Sequence, residues 1–138
     1  MDTAIASRGT ILVCDDDADI RETLDAVLTS ENFKVHTVSG YDEMRPLLVN
    51  IQPDAILLDI CMPEYDGFYV AESLRDLGEK APIIFITAFD NPKRRLSASF
   101  VSRVYAYLKK PFNPDELLAV VDHAISSAKR KSGRTPGL

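Results

Sequence analysis

Apolar positions along the chain follow two rhythms that alternate. Five short runs are rich in β-branched and aromatic residues: "TILVC" at 10–14, "FKVHTV" at 33–38, "DAILLD" at 54–59, "PIIFIT" at 82–87 and "VYAYL" at 104–108. Three of them are almost uninterrupted in their apolar character, the pattern of strands covered on both faces of a parallel sheet. Between the runs the spacing becomes helical. Ile20, Leu24, Val27 and Leu28 share one stripe within 18–30, and Val70, Ala71, Leu74 and Leu77 share another within 67–77, with Gly78 placed to end that helix. The last helix is marked most clearly. Asn113 is placed to cap it, Pro114 suits its first position, Glu116 completes a capping-box-like pattern, and Leu117, Val120, Val121 and Ala124 form its inner face. Five alternations of strand and helix predict an α/β architecture, a (βα)5 open sheet with right-handed crossovers. The final stretch, "SSAKRKSGRTPGL" at 126–138, turns basic and Gly/Pro-rich and reads as a frayed tail.

Composition narrows the class. With 138 residues, 46% of them hydrophobic and 27% charged, the chain suits one soluble domain with a real core. No apolar run has the length to span a bilayer, and the first ten residues, "MDTAIASRGT", lack the pattern of a signal peptide. Cys14 and Cys61 do not make a disulfide framework, so a reducing, cytoplasmic setting is expected. Net charge is −5, but residues 1–90 carry −12 and residues 91–138 carry +7. That division predicts an acidic site in the first part and a basic surface in the second. Direct binding of nucleic acid is disfavoured by the acidic balance of so small a domain.

The acids gather where the sheet should open. In an open parallel sheet the site lies beyond the carboxyl ends of the strands, near the switch in strand order. The first predicted strand ends at Asp15 and Asp16, the third at Asp59 and the fourth at Thr87, while the fifth is followed by Lys109, Lys110 and Pro111. Two like charges about 4 Å apart repel by roughly 4 kcal/mol at an effective dielectric near 20, so three carboxylates in one pocket require a compensating cation. A lysine is one candidate. A hard divalent ion such as Mg²⁺, which prefers oxygen ligands, is the other. His36 and His123 lie on unrelated segments and form no zinc-like cluster. A carboxylate with a hydroxyl, a lysine and such a cation nearby is equipped for phosphoryl transfer.

Taken together, "ILVCDDD", "LLDICMPEYDG" at 57–67, "FITA" at 85–88 and "YLKKPF" at 107–112 resemble the receiver domain of bacterial two-component response regulators. The resemblance covers residues 9–127, leaving 1–8 and the basic stretch 128–138 as tails. It implies a flavodoxin-like fold with strand order 2-1-3-4-5. It also implies that Asp59 accepts a phosphoryl group from a sensor histidine kinase or a phosphotransfer protein. On the same ground Asp16 is a direct Mg²⁺ ligand, Asp15 acts mainly through metal-bound water and the carbonyl of Cys61 is a further ligand. Thr87 would bond a phosphoryl oxygen, Lys110 would pair with the acyl phosphate, and Tyr107 would be the aromatic switch residue. Lys110–Pro111 is a candidate cis peptide. The implied output is a docking face on the fourth helix, fifth strand and fifth helix that meets a downstream protein, with a homodimer on phosphorylation left open. Two departures stand out: "SASFVSRVYAYL" replaces the small Gly-Ala pair common before the fifth strand, and Cys61 occupies a position where side chains tune dephosphorylation.

Plainer readings apply to several residues. Asp17 and Asp19 are placed to start and cap the first helix. Cys14 reads as core and Cys61 as an inert thiol. His36 and His123 read as structural or exposed, and Lys93, Arg94, Arg95 and Arg103 as either a docking face or a solvated surface. A haloacid-dehalogenase-type phosphohydrolase, with Asp15 as nucleophile and Asp17 as acid, is the rival function. It would need a further acidic pair that "KKPFNPDELL" does not supply. A receiver that binds partners without being phosphorylated is a third reading. No output domain fits after the last helix, so the chain reads as a stand-alone receiver or a piece of a longer protein.

Overall fold

Hydrogen bonding joins the five apolar runs into one parallel sheet in the order β2-β1-β3-β4-β5, the order the motifs imply. The computed structural model describes residues 7–62, 65–88, 93 and 104–133. Its strands are β1 (Thr10–Cys14), β2 (Lys34–Val38), β3 (Ala55–Asp59), β4 (Ile83–Thr87) and β5 (Val104–Lys109). Between them lie α1 (Ala18–Ser30), α2 (Tyr41–Leu48) and α3 (Gly67–Asp76), and the last helix covers Pro114–Gly133. Between β4 and β5, residues 89–92 and 94–103, with Arg94, Arg95 and Arg103 and all of the expected fourth helix but Lys93, lie outside the described residues.

Alternation along each strand divides the core in two. Leu12, Cys14, Ile56, Leu58, Ile83 and Phe85 face α2 and α3, where they meet Met44, Val70, Ala71 and Leu74. Ile11, Val13, Leu57, Ile84 and Ile86 face α1 and the last helix, where they meet Leu24, Leu28, Leu117, Val121 and Ala124. The central strands β1, β3 and β4 are therefore wrapped on both faces, which is why their sequences are apolar without a break. β5 is an edge strand with only Leu108 fully buried, and its register with β4 shifts between Ile83 and Ile84.

The caps follow from sequence. Asp17 accepts from the backbone N–H of Asp19 at 2.9 Å and Ile20 at 3.4 Å, closing the start of α1. Asn113 accepts from the N–H of Glu116 at 2.7 Å at the start of the last helix. Two expectations need correction. Leu77, placed on the inner stripe of α3, is 60% exposed, because the helix ends at Asp76 and Leu77 turns away as its C-cap. Residues 126–133, read as the start of a frayed tail, instead continue the last helix. Ala128, Lys129 and Arg130 are good helix formers, cations suit a helix C-terminus, and no breaker intervenes before Gly133.

Gly78 follows α3 at φ +90°, with open space around the position its Cβ would take. Gly78→Ala should therefore destabilise through backbone strain alone, by about 1 kcal/mol. Thermal unfolding would show a melting point lower by about 4 °C, with no change at the sheet's carboxyl edge.

Candidate functional site

β1 and β3 are neighbours, so residues that follow them share one edge of the sheet. Asp15, Asp16 and Asp59 each offer a carboxylate oxygen there, all within 4.8 Å of one another. Asp15 and Asp59 are buried, and Asp16 is exposed. Lys110, from the far side of β4, reaches into this group. Its Nζ donates to Asp15 Oδ2 at 2.7 Å and approaches Asp59 Oδ2 at 3.5 Å. The backbone sets up that reach: the Lys110 N–H donates to the Thr87 carbonyl at 2.7 Å, and the Lys110–Pro111 peptide is cis. Separate segments thus bring four of the expected residues together.

The remaining lone pairs are ordered. Asp15 Oδ1 accepts from the Asp17 N–H at 2.9 Å, and Asp59 Oδ1 accepts from the Cys61 N–H at 3.1 Å. Thr87 is buried at the end of β4, with its hydroxyl 3.9 Å from the Cys61 thiol. Tyr107 is half-buried and packs against the core on the α2/α3 side. A cleft of about 510 Å³ opens beside Asp16, walled by Ser39, Tyr41, Asp42, Met62 and Tyr65. Asp17 is absent from the cluster because its carboxylate caps α1, which removes the acid that a phosphohydrolase of the rival type would need.

Charge crowding is legible in the titration behaviour. Burial, followed by the neighbouring Asp15 charge, pushes the Asp59 carboxyl from 3.8 up to about 6, against the opposing pull of Lys110 and the Cys61 N–H. Burial works to lower the Lys110 ammonium, but the Asp15 and Asp59 carboxylates outweigh it and its pKa rises. One ammonium among three carboxylates leaves a deficit of positive charge. The donors are all hard oxygens, with no imidazole or thiolate among them, and this set fits Mg²⁺ better than zinc. Cys14 is buried with its thiol pushed up to about 12, chiefly by desolvation, and is an inert core residue.

Two contributors escaped the sequence reading. Gly67 packs so closely on the end of β3 that a Cβ there would lie 2.6 Å from the Asp59 carbonyl oxygen and from Ile60 Cα. Its sequence signal is its place at the end of "LLDICMPEYDG", after Asp66, whose side chain caps α3 by accepting from the Phe68 N–H at 2.7 Å; the close approach itself is not written there. Arg21 donates from Nη1 to the Asp15 carbonyl at 2.7 Å, and nothing local in the sequence announces that contact.

Comparison with known proteins places these features in context. Residues 11–122 match the model of the response regulator receiver domain family. Over 109 residues the chain is 39% identical to the response regulator MprA of Mycobacterium sp. (strain KMS), covering 79% of this chain and 47% of that protein. The chain thus spans about half the length of the curated relatives it matches. Among solved structures, the Francisella response regulator 1452 receiver domain superposes with a TM-score of 0.79 at 26% identity, covering 88% of this chain and 100% of that one. The Vibrio cholerae chemotaxis protein CheY4 gives the same TM-score and identity, covering 88% and 99%.

Two outcomes at this edge can be measured. Because folding raises the pKa of Asp59, the folded state holds its proton more tightly than the unfolded chain, and stability from this group falls as pH rises from about 4 to about 6. Without metal at pH 7, Asp59→Asn should therefore melt higher than the wild type, by on the order of 1 kcal/mol, and the advantage should shrink as pH approaches 4. Gly67→Ala should act in the opposite direction: its backbone clash should cost about 2 kcal/mol or more in the same thermal melts, well above the loss for Gly78→Ala.

Proposed function

The chain belongs to the response regulator receiver domain family, and on that premise we propose that it is a phosphorylation-switched docking module in which Asp59 accepts the phosphoryl group. The observation that carries this reading is the convergence of Asp15, Asp16 and Asp59 within 4.8 Å, with Lys110 held against two of them. The donor is the phosphohistidine of a sensor kinase or phosphotransfer protein. In the transfer an oxygen of the Asp59 carboxylate bonds to phosphorus as the P–N bond breaks. The imidazole nitrogen leaves with the electron pair and takes up a proton.

Each residue contributes through its position. Asp59 stands at the end of a rigid buried strand, so its attacking oxygen is directed rather than mobile. Asp15, Asp16 and Asp59, with the carbonyl of Cys61, would hold Mg²⁺, which when bound supplies positive charge to the phosphoryl oxygens. Lys110 offsets the charge that builds up on the acceptor and then pairs with the acyl phosphate. Thr87, at the end of the adjacent strand, donates its hydroxyl to a phosphoryl oxygen. Tyr107 responds as Thr87 is drawn to the phosphoryl group and alters the face of β5 and the last helix, where a downstream protein docks. The self-phosphorylation is stoichiometric, so the module signals rather than turning over a substrate. No described helix is long and apolar enough to cross a membrane.

Intact-mass measurement after incubation with Mg²⁺ and acetyl phosphate tests the proposal. One base-labile phosphoryl group should add to the wild type and to Asp17→Asn, and none to Asp59→Asn. Chelation of Mg²⁺ should abolish the addition, and Lys110→Ala should slow it by about a hundredfold or more. Phosphorylation that persists in Asp59→Asn would overturn the assignment.

A further inference from the structure

Arg21 stands where helix electrostatics disfavours it. It is the fourth residue of α1, near the positive end of the helix dipole, where an anion would be favourable and a cation is not. Another interaction must therefore compensate for its placement. Its guanidinium turns back over the start of the helix and donates to the Asp15 carbonyl at 2.7 Å. That carbonyl lies one residue beyond Cys14, the last β1 residue paired in the sheet, so the ladder does not satisfy it.

The carbonyl belongs to the peptide plane that joins Asp15 to Asp16. A peptide is planar, so holding the C=O direction of residue 15 also fixes the N–Cα bond from which Asp16 departs. The two acids differ in what else restrains them. Asp15 has its N–H on the Val38 carbonyl at 3.2 Å, one carboxylate oxygen on the Asp17 N–H and the other on Lys110. Asp16 is exposed, and its carboxylate takes no hydrogen bond from a described residue. Its aim toward Asp15 and Asp59 is set by its backbone, and Arg21 is the side chain that clamps that backbone.

We propose that Arg21 is a positioning residue for the cation site: it locks the 15–16 peptide plane and so keeps Asp16 directed at the metal. The proposal rests on the Mg²⁺ site inferred above, and a simple charge effect predicts the opposite sign. A guanidinium bonded to the Asp15 carbonyl brings positive charge beside the site and repels a divalent ion, so removing it would strengthen Mg²⁺ binding if charge alone mattered. Removing a clamp weakens it.

Isothermal titration of the unphosphorylated protein with Mg²⁺, alongside melting without metal, separates these cases. Arg21→Met, which keeps the stem but neither charge nor donor, should bind Mg²⁺ about tenfold more weakly, and Arg21→Lys, which restores a donor and the charge, should fall between it and the wild type. Tighter binding by Arg21→Met would show a charge effect and overturn the proposal. Unchanged affinity with a lowered melting point would show a purely structural role and overturn it as well. Should Arg21→Met fail to fold, Arg21→Lys carries the test, because its single shorter donor should still weaken binding about twofold, and unchanged affinity would refute the clamp. If the wild type itself binds no Mg²⁺, the underlying metal reading fails, a result distinct from any of these.

Discussion

Everything at the working edge of this molecule depends on the repulsion among three carboxylates and on the one ammonium that restrains it. Lys110 is contributed from beyond β5, the edge strand, yet its partners stand at the ends of β1 and β3. The strand order makes that possible. β1 and β3 are adjacent, so their terminal acids share a site, and only β4 separates that site from β5. The lysine must therefore cross over the end of β4, where Thr87 sits and accepts the Lys110 N–H at its carbonyl. Acids, hydroxyl and ammonium are neighbours because the sheet is wound in this order.

The opening triplet of acids shows how one sequence feature resolves into three environments. Asp15 is buried and tied down by Lys110 and the Asp17 N–H. Asp16 is exposed and faces the cleft beside Tyr41 and Met62. Asp17 caps α1 and belongs to the helix rather than the site. Adjacent like charges are tolerated because successive residues leave the strand end in different directions, so that only two of the three converge with Asp59. The fixed positions come from the double-sided core: Ile11, Leu12, Val13 and Cys14 are completely buried, which leaves the residues after them little freedom to drift.

Much of this was legible in the chain because it is encoded locally. Continuous apolar runs identify the central strands, Asp17 and Asn113 announce helix starts, and the acids at 15, 16 and 59 stand directly after apolar stretches. What escaped depends on contacts between distant residues or on competing weak preferences. Gly67 matters because β3 passes 2.6 Å from where its Cβ would be, and no periodicity reports such an approach. Leu77 fits a helical stripe in sequence, but α3 stops one residue too soon for the stripe to hold it. Residues 126–133 look like a tail by composition, yet lysine, arginine and alanine extend a helix as readily as they populate a solvated end. α2, with Pro46 inside it, is held by burial of Tyr41 and Met44 rather than by propensity.

The raised Asp59 pKa ties stability to function through a single quantity. A carboxyl pushed up to about 6 and still largely ionised at neutral pH marks a place where the folded chain stores unfavourable electrostatic energy, and only the rest of the core makes that tolerable. A ligand that relieves this energy by binding the native state alone stabilises the fold, because it shifts the unfolding equilibrium in its favour. Relief need not come from neutralising Asp59 itself. Positive charge brought to Asp15 or Asp16 lowers the same repulsion, because all three acids interact within 4.8 Å. A group that alters the charge at Asp59 therefore acts at once on β1, through Asp15, and on the end of β5, through Lys110. The ends of β1, β3 and β5 are thus electrostatically joined, with Lys110 as the physical link.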